Sequence, residues 1–392
     1  MPVLFLVIFV VMGSFALLLP SIMFVLQNMG ASEAMATPIL ASYGFAQFLS
    51  GPIWGRLSDR VGRKPVLVGS LVLASLAYAF IALGADSVLK LHLGLVFTGL
   101  CAGNSAVLYA AVTDLTGQEG RAKGMGIIGA GIGLAFTVGP AIGAVLGGRS
   151  ADVATIAAPA QLSMVACLIG ALAVFVLFKE SMGRDSVPAT KGVGRIQAMF
   201  QVARQPLLLQ LSFVMCFFTF GLAMMESIMS YLMNDKHGWG PRDLGIMFAY
   251  FGLILIVVQG GLVGRLTTRF GEMVLAKTGI VFMAIGLGAI AYSPISAGVF
   301  FGLTFVSVGT AIFNTSVLSI ASKGSESTER GLVMGVFQSM QALGRSIGPI
   351  LTGLLYGVFH ELPFVVSIAI MAALVIWITA IFTLMRRAET PA

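Results

Sequence analysis

The sequence predicts an all-α integral membrane protein with twelve transmembrane helices in two pseudo-symmetric six-helix bundles. Of its 392 residues, 58% are hydrophobic and only 10% are charged, which is too little polar surface for a soluble domain of this length. Apolar runs of roughly 20 residues, the length that crosses a hydrocarbon core, recur along the whole chain. The longest polar stretch, 179–206, divides these runs six and six.

The apolar runs are expected to be helices because they lack the period-two alternation of a lipid-facing β-strand. The first run is too long for a signal peptide and has no small-residue cleavage site, so we expect a retained helix. The predicted spans are, in order, 2–27, 38–54, 65–84, 91–113, 124–147, 160–178, 207–233, 243–263, 273–292, 295–320, 331–357 and 363–385.

The polar stretch reads as a linker, because it carries five basic residues, two acids, Pro188 and several glycines. We therefore predict an N-terminal bundle at 1–178, a cytoplasmic linker at 179–206 and a C-terminal bundle at 207–392. One constant offset of 209 residues aligns landmarks across the linker, which indicates two homologous halves with the solute path between them. The aligned pairs are Gly55-Arg56-Leu57 with Gly264-Arg265-Leu266, Arg60 with Arg269, Gly62 with Gly271, Arg121 with Arg330, Gly126 with Gly335, Gly139-Pro140 with Gly348-Pro349, and Gly148 with Gly357.

Orientation follows from the basic residues, because cytoplasmic loops retain positive charge. If the loop after the second span is cytoplasmic, that side holds most of the 23 Lys and Arg residues, and both termini are cytoplasmic. The net charge of +7 then reflects contact with anionic lipid headgroups, and no nucleic-acid partner is expected. The three cysteines and three histidines show no metal-ligand spacing, and no phosphate-binding loop is present. We expect no metal, no cofactor and no enzymatic activity.

Two glycine-rich motifs are prominent. The loop Gly55-Arg-Leu-Ser-Asp-Arg-Val-Gly-Arg-Lys-Pro65 has glycines at 55 and 62 that permit tight turns, and Asp59 is a lone acid among cations. The fifth span carries Gly129, Gly133, Gly139 and Gly143 at helical spacing, with Pro140 expected to kink the helix. Such glycines make a smooth face for a neighbouring helix, and a generic packing interface is the alternative to a specific motif.

These motifs resemble those of the major facilitator superfamily, and the wider chain resembles its tetracycline/proton antiporter group of drug exporters. The resemblance implies a conformational latch formed by Gly55, Asp59, Arg60, Gly62 and Arg63, in which Asp59 would contact the helix terminus near Gly331. It also implies an antiporter motif at the glycines of the fifth span. Two departures concern proton coupling in the first half: Leu95 replaces an arginine that many members carry, and the run Val10–Gly13 lacks an acid that some carry. The second-half loop has Thr268 in place of Asp59, so a one-sided latch is expected.

Charges inside predicted spans are candidates for the working site, because burying a charge in a membrane costs several kcal/mol unless it has a partner or a wet cavity. Of the 16 acids, only Glu226 lies well within a span, and it is the predicted proton carrier. Arg345 is the intramembrane cation, on a stripe with Gln338 and Gln341. It is expected either to pair with a carboxylate such as Glu226 or to attract an anionic group of the solute.

Further side chains complete the predicted substrate cavity. The polar ones could line the cavity or merely cross-link helices, and the two methionines next to Glu226 could offer an adaptable apolar wall. They are Gln47, Asn104, Tyr109, Met225, Met229 and Asn314.

The sequence therefore predicts a monomeric plasma-membrane protein that exports small amphipathic molecules in exchange for protons by alternating access. Its expected partners are a small-molecule substrate, protons and the lipid bilayer. Two alternatives remain: export of a physiological metabolite such as a sugar, siderophore or lipid on the same fold, and a receptor that does not transport.

Overall fold

The computed structural model describes residues 1–84, 86–181, 205–324 and 330–389, and within these ranges it is built of helices joined by short turns. The predicted linker lies largely outside the described residues. The helices are α1 (Pro2–Ala16), α2 (Leu19–Asn28), α3 (Glu33–Val61), α4 (Arg63–Gly84), α5 (Val88–Ala102), α6 (Ser105–Leu146), α7 (Ala157–Leu177), α8 (Pro206–His237), α9 (Pro241–Val257), α10 (Val263–Phe270), α11 (Glu272–Tyr292), α12 (Ser296–Lys323), α13 (Arg330–Tyr356) and α14 (Leu362–Glu389). A π-helical turn, Val258–Leu262, joins α9 to α10. The all-α prediction is confirmed.

Ten segments of the described chain are long and apolar enough to cross a membrane. They coincide with ten of the twelve predicted spans. The two that fall short, α3 and α13, contain Gln47 and the stripe of Gln338, Gln341 and Arg345, respectively. A helix that faces a polar path can carry such side chains, whereas a helix surrounded by lipid cannot do so cheaply.

The chain departs from the predicted boundaries between the fourth and fifth spans. The polar break predicted at 114–123 is helical, and α6 runs through it without interruption. Half of that stretch consists of Gln, Glu, Arg, Ala and Lys, which all favour helix, and it contains no proline. The helix breaks earlier instead, at Gly103 and Asn104, where a Cβ on Gly103 would lie 2.8 Å from the backbone nitrogen of Gly51.

The first predicted span is also divided, because α1 ends at Ala16 and α2 begins at Leu19. Pro20 explains the division, since proline has no N–H to donate to the carbonyl four residues earlier. The π-helical turn at 258–262 similarly interrupts the predicted eighth span, and the helix then continues to Phe270.

The first of two compact units contains residues 1–192 and 230–252. Its helices pack pairwise, with α1 against α6 and α7, and α4 against α5 and α7. Glycines allow the closest approaches. A Cβ on Gly139 of α6 would lie 2.7 Å from the Ala16 Cβ, and one on Gly143 would clash with the Leu17 carbonyl.

The second unit contains residues 193–229 and 253–392. Here α11 packs along α12 and α14. The backbones of α11 and α12 touch at Gly286 and Gly302, where a Cβ on Gly286 would lie 2.5 Å from the Gly302 carbonyl oxygen. Gly344 and Gly348 of α13 make a similar contact with α8. Small residues therefore set the helix spacing in this unit as well.

Replacing Gly344 by alanine should destabilise the protein, whereas the same change at Gly264 should not. A Cβ at Gly344 would clash with the Cys216 carbonyl oxygen and lie 3.0 Å from the Phe220 nitrogen, but Gly264 has no atom within 4 Å of that position. Overpacking of this kind costs about 1–3 kcal/mol. Thermal unfolding of both variants in detergent tests the prediction, and equal melting temperatures would contradict the proposed α8–α13 contact.

Candidate functional site

Glu226 lies in the membrane-spanning helix α8 of the second unit, and its side chain is partly exposed. The neighbouring Met225 and Met229 are 3% and 0% exposed, so they pack inside the bundle. A Cβ on Gly348 of α13 would lie 2.9 Å from the carbonyl oxygen of Phe220. This close approach brings the polar stripe of α13 beside the helix that carries Glu226.

Arg345 supplies the opposite charge. Its side chain is exposed, and its positive charge acts on the Glu226 carboxyl group. Gln338, also exposed, and Gln341, partly exposed, lie on the same helix at spacings of seven and four residues. An opposite charge nearby lowers the cost of placing a charge in a membrane-spanning helix, so Arg345 makes the position of Glu226 less costly.

Asn314 of α12 adds another polar group within the second unit. Its Oδ1 atom is buried and accepts no hydrogen bond from the described residues, and the same holds for the hydroxyl of Thr310 one turn earlier. A buried polar atom without a hydrogen bond lowers the stability of the folded state. These two groups of α12 can therefore form hydrogen bonds with a further partner.

The polar candidates of the first half hold helices together. Gln47 donates a hydrogen bond from Nε2 to the carbonyl of Ala102 (3.3 Å), and Asn104 donates from Nδ2 to Ser70 Oγ (2.9 Å). Asn104 is also 1% exposed, whereas Tyr109 is partly exposed.

A small cavity borders Asn104 and has room for about one water molecule, which is too little for a solute. Its lining residues are Val11, Ala74, Tyr78, Thr98, Cys101, Ala102, Asn104 and Cys167.

The predicted latch loop is mostly helical. Gly55 and Arg60 lie within α3, so the expectation of a tight turn at Gly55 is wrong, and Gly62 alone breaks the helix with φ of +104°. The sequence from Arg56 to Val61 has no helix breaker, which is why the helix continues. A side chain at Gly62 would be strained by that φ and would also lie within 2.5 Å of Glu180 Oε2.

Arg63 is the centre of an ion cluster on the side predicted to be cytoplasmic. Its Nη1 contacts Asp59 Oδ1 (2.5 Å) and donates to Ser58 Oγ (2.6 Å), and its Nε contacts Asp114 Oδ2 (3.0 Å). The Arg63 side chain is only 11% exposed. The predicted contact of Asp59 near Gly331 involves side chains outside the described residues, and it remains a prediction.

Glu180 completes this cluster by capping α4. Its carboxylate accepts hydrogen bonds from the backbone N–H groups of Arg63 (2.9 Å) and Lys64 (3.0 Å), the free donors of a helix start. Asp114 and Glu180 lie outside the glycine-rich loop motif, so the motif does not predict either contact. The only sequence signal was an acid at the end of a predicted span, which gives no partner without the tertiary structure.

The glycines of the antiporter motif, all on α6, differ in how closely they are packed. Gly139 and Gly143 pack against α1 and the residues that join it to α2, whereas Gly129 has no atom within 4 Å of a Cβ position. Another face of α6 receives glycines from α9: a Cβ on Gly245 would lie 2.6 Å from the carbonyl oxygen of Pro140. Gly133 and Pro140 lie within the same continuous helix. The motif therefore has close helix neighbours on two sides.

Removing the Arg63 charge should destabilise the first unit, and removing Asp114 as well should recover part of the loss. Arg63→Gln leaves two carboxylates without their cation, so we expect a cost of about 1–3 kcal/mol. In the double variant Arg63→Gln/Asp114→Asn, a coupling of about 0.5–3 kcal/mol should appear. Thermal unfolding of the two single variants and the double variant measures it, and strictly additive effects would show that the pair does not interact.

Comparison with known proteins is consistent with this architecture. The chain is 27% identical to the class B tetracycline resistance protein of Escherichia coli over 88% of this chain and 85% of that protein. It is also 27% identical to solute carrier family 22 member 18 of Rattus norvegicus, over 84% of this chain and 81% of that protein. The inward-facing structure of a bacterial homologue of the human lysosomal transporter Spinster aligns with a TM-score of 0.80 and 14% identity, over 100% of this chain and 98% of that one. The family model of the Major Facilitator Superfamily matches residues 4–325 and 211–392. The chain therefore belongs to the major facilitator superfamily, and it is a multi-pass membrane transporter rather than an enzyme.

Proposed function

We propose that this transporter exports small amphipathic or drug-like molecules in exchange for protons, by alternating access, with Glu226 as the proton carrier. The observation that carries the proposal is the position of Glu226, a partly exposed acid within a membrane-spanning helix under the influence of the Arg345 charge. An acid at such a position can bind a proton on one side and release it on the other. Two conformations, each open to a different side of the membrane, complete the transport cycle.

The charges of Glu226 and Arg345 determine whether solute and proton move in opposite directions or together. A solute that binds through the ionised Glu226 carboxylate competes with the proton, and this competition produces exchange. A purely anionic solute would instead use Arg345, which protonation of Glu226 releases, so that solute and proton would travel together. Antiport therefore requires a cationic or hydrogen-donating group on the solute, next to its apolar part.

The first half supplies little for proton binding. Leu95 replaces an arginine that many members of the resembled group carry, and the run Val10–Gly13 lacks an acid that some carry. The small cavity in this half is lined by uncharged side chains. Proton coupling is accordingly assigned to α8 and α13. The similarity to tetracycline resistance proteins supports the drug-export assignment.

We place the protein in the plasma membrane as a monomer with both termini cytoplasmic. The distribution of Lys and Arg supports this orientation, since the loops assigned to the cytoplasm hold most of the positive charge. The linker and the two six-helix bundles at 1–178 and 207–392 are part of the same proposal.

Glu226→Gln should abolish proton-coupled exchange, whereas solute-for-solute exchange should persist at saturating solute. In everted vesicles with an acidified lumen, a fluorescent cationic dye should release protons through the parent protein and dequench an acridine pH probe. The glutamine variant binds no proton at this position, so the dequenching should fall by at least about tenfold. Dye-for-dye exchange should weaken at low dye concentration and recover at saturating dye, because glutamine keeps the size of the side chain but loses the negative charge that attracts a cation.

Asp86→Asn is the matched control, because it removes a carboxylate that lies between two spans and is exposed. A hydrogen bond from Lys90 lowers the pKa of Asp86, so this carboxylate does not take up the proton that Glu226 is proposed to carry. The control should couple as the parent does. If Glu226→Gln couples dye to protons as the parent does, Glu226 is not the proton carrier. If the parent moves dye without releasing protons, the protein is not a proton antiporter.

A further inference from the structure

A second ion pair occupies the side of the second unit that is predicted to be cytoplasmic. Glu272, the first residue of α11, accepts a hydrogen bond from Ser319 Oγ (2.9 Å) and forms an ion pair with the Lys323 ammonium group. Ser319 and Lys323 both lie near the end of α12. The Glu272 side chain is 18% exposed, whereas that of Lys323 is 70% exposed. The start of α11 is thus tied to the end of α12 through a largely buried carboxylate.

The internal repeat relates this pair to the cluster around Arg63. The offset of 209 residues places Arg63 on Glu272 and Asp114 on Lys323. Both pairs follow a glycine with positive φ, +104° at Gly62 and +80° at Gly271. Equivalent positions in the two halves therefore hold an ion pair with the charges exchanged. This second pair uses nothing at Thr268, so the absence of the Asp59 equivalent does not leave the second half without an ion pair.

The exchanged charges have different consequences for the helices on which they lie. A helix N-terminus carries partial positive charge, which opposes a cation and favours an anion in the first turn. Arg63 is a cation at the start of α4, and the cluster around it needs Glu180 to cap the helix. Glu272 is an anion at the start of α11, so the helix itself stabilises it. The second pair has the more favourable polarity.

We propose that Glu272, Ser319 and Lys323 form a brace that holds α11 to α12 throughout the transport cycle. The brace is the counterpart of the Arg63–Asp114 pair, but its polarity makes it a fixed contact, whereas the Arg63 cluster belongs to a latch that opens and closes. The three residues are positioning residues, because their contacts join two helices.

Thermal unfolding in detergent tests the pairing. Glu272→Lys and Lys323→Glu should each lower the melting temperature by about 2 °C or more, because each places two like charges together. The double variant Glu272→Lys/Lys323→Glu restores opposite charges and should recover part of the loss. Full recovery is not expected, since a lysine at the start of α11 opposes the helix dipole. A double variant no more stable than the worse single one would overturn the pairing.

Cross-linking tests whether the brace stays closed. Cysteines at positions 272 and 323, in a chain whose Cys101, Cys167 and Cys216 are replaced by alanine, are joined with a bis-maleimide. Efflux of the cationic dye should stay within about twofold of the untreated double-cysteine protein, and each single-cysteine variant controls for labelling alone. A tenfold loss confined to the cross-linked protein would show that the contact must open, and would overturn the fixed brace. The unfolding comparison needs no transport, so it decides the pairing even if dye efflux, and with it the proposed function, fails.

Discussion

The hydrocarbon core offers no water to backbone or side-chain polar groups, and every feature described above follows from that constraint. Backbone groups are satisfied within helices, which explains why the described chain is helical almost throughout. Where a helix must break inside the bundle, the break is supported locally. At Gly103 and Asn104, for example, the Asn104 side chain bonds to Ser70 of a neighbouring helix.

Between helices, lipid supplies no hydrophobic drive, so contact depends on how closely backbones approach. The glycines of α6 and α13 meet α1 and α8, respectively, and these positions correspond under the internal repeat: Gly139 maps onto Gly348. The same device thus joins α6 to α1 in the first unit and α13 to α8 in the second. In the second unit this contact places the polar stripe of α13 beside α8.

Charge is expensive in this environment, and the chain keeps its charges in groups. Glu226 is accompanied by Arg345, Arg63 by two carboxylates, and Glu272 by Lys323. The groups differ in where they lie. The pairs at α4 and α11 lie at helix ends, where they connect neighbouring helices, whereas Glu226 lies within a membrane-spanning helix.

The sequence alone determined the helical membrane class, most span positions and the family, because apolar run length and the motif around Asp59 are local properties. It also singled out Glu226 and Arg345, since a charge within an apolar run is visible without coordinates. The tertiary structure decided the partners: Asp114 and Glu180 for Arg63, Lys323 for Glu272, and burial in the bundle for Met225 and Met229. These depend on which helices adjoin and which face each presents, and such contacts join residues far apart in the chain that no local pattern connects.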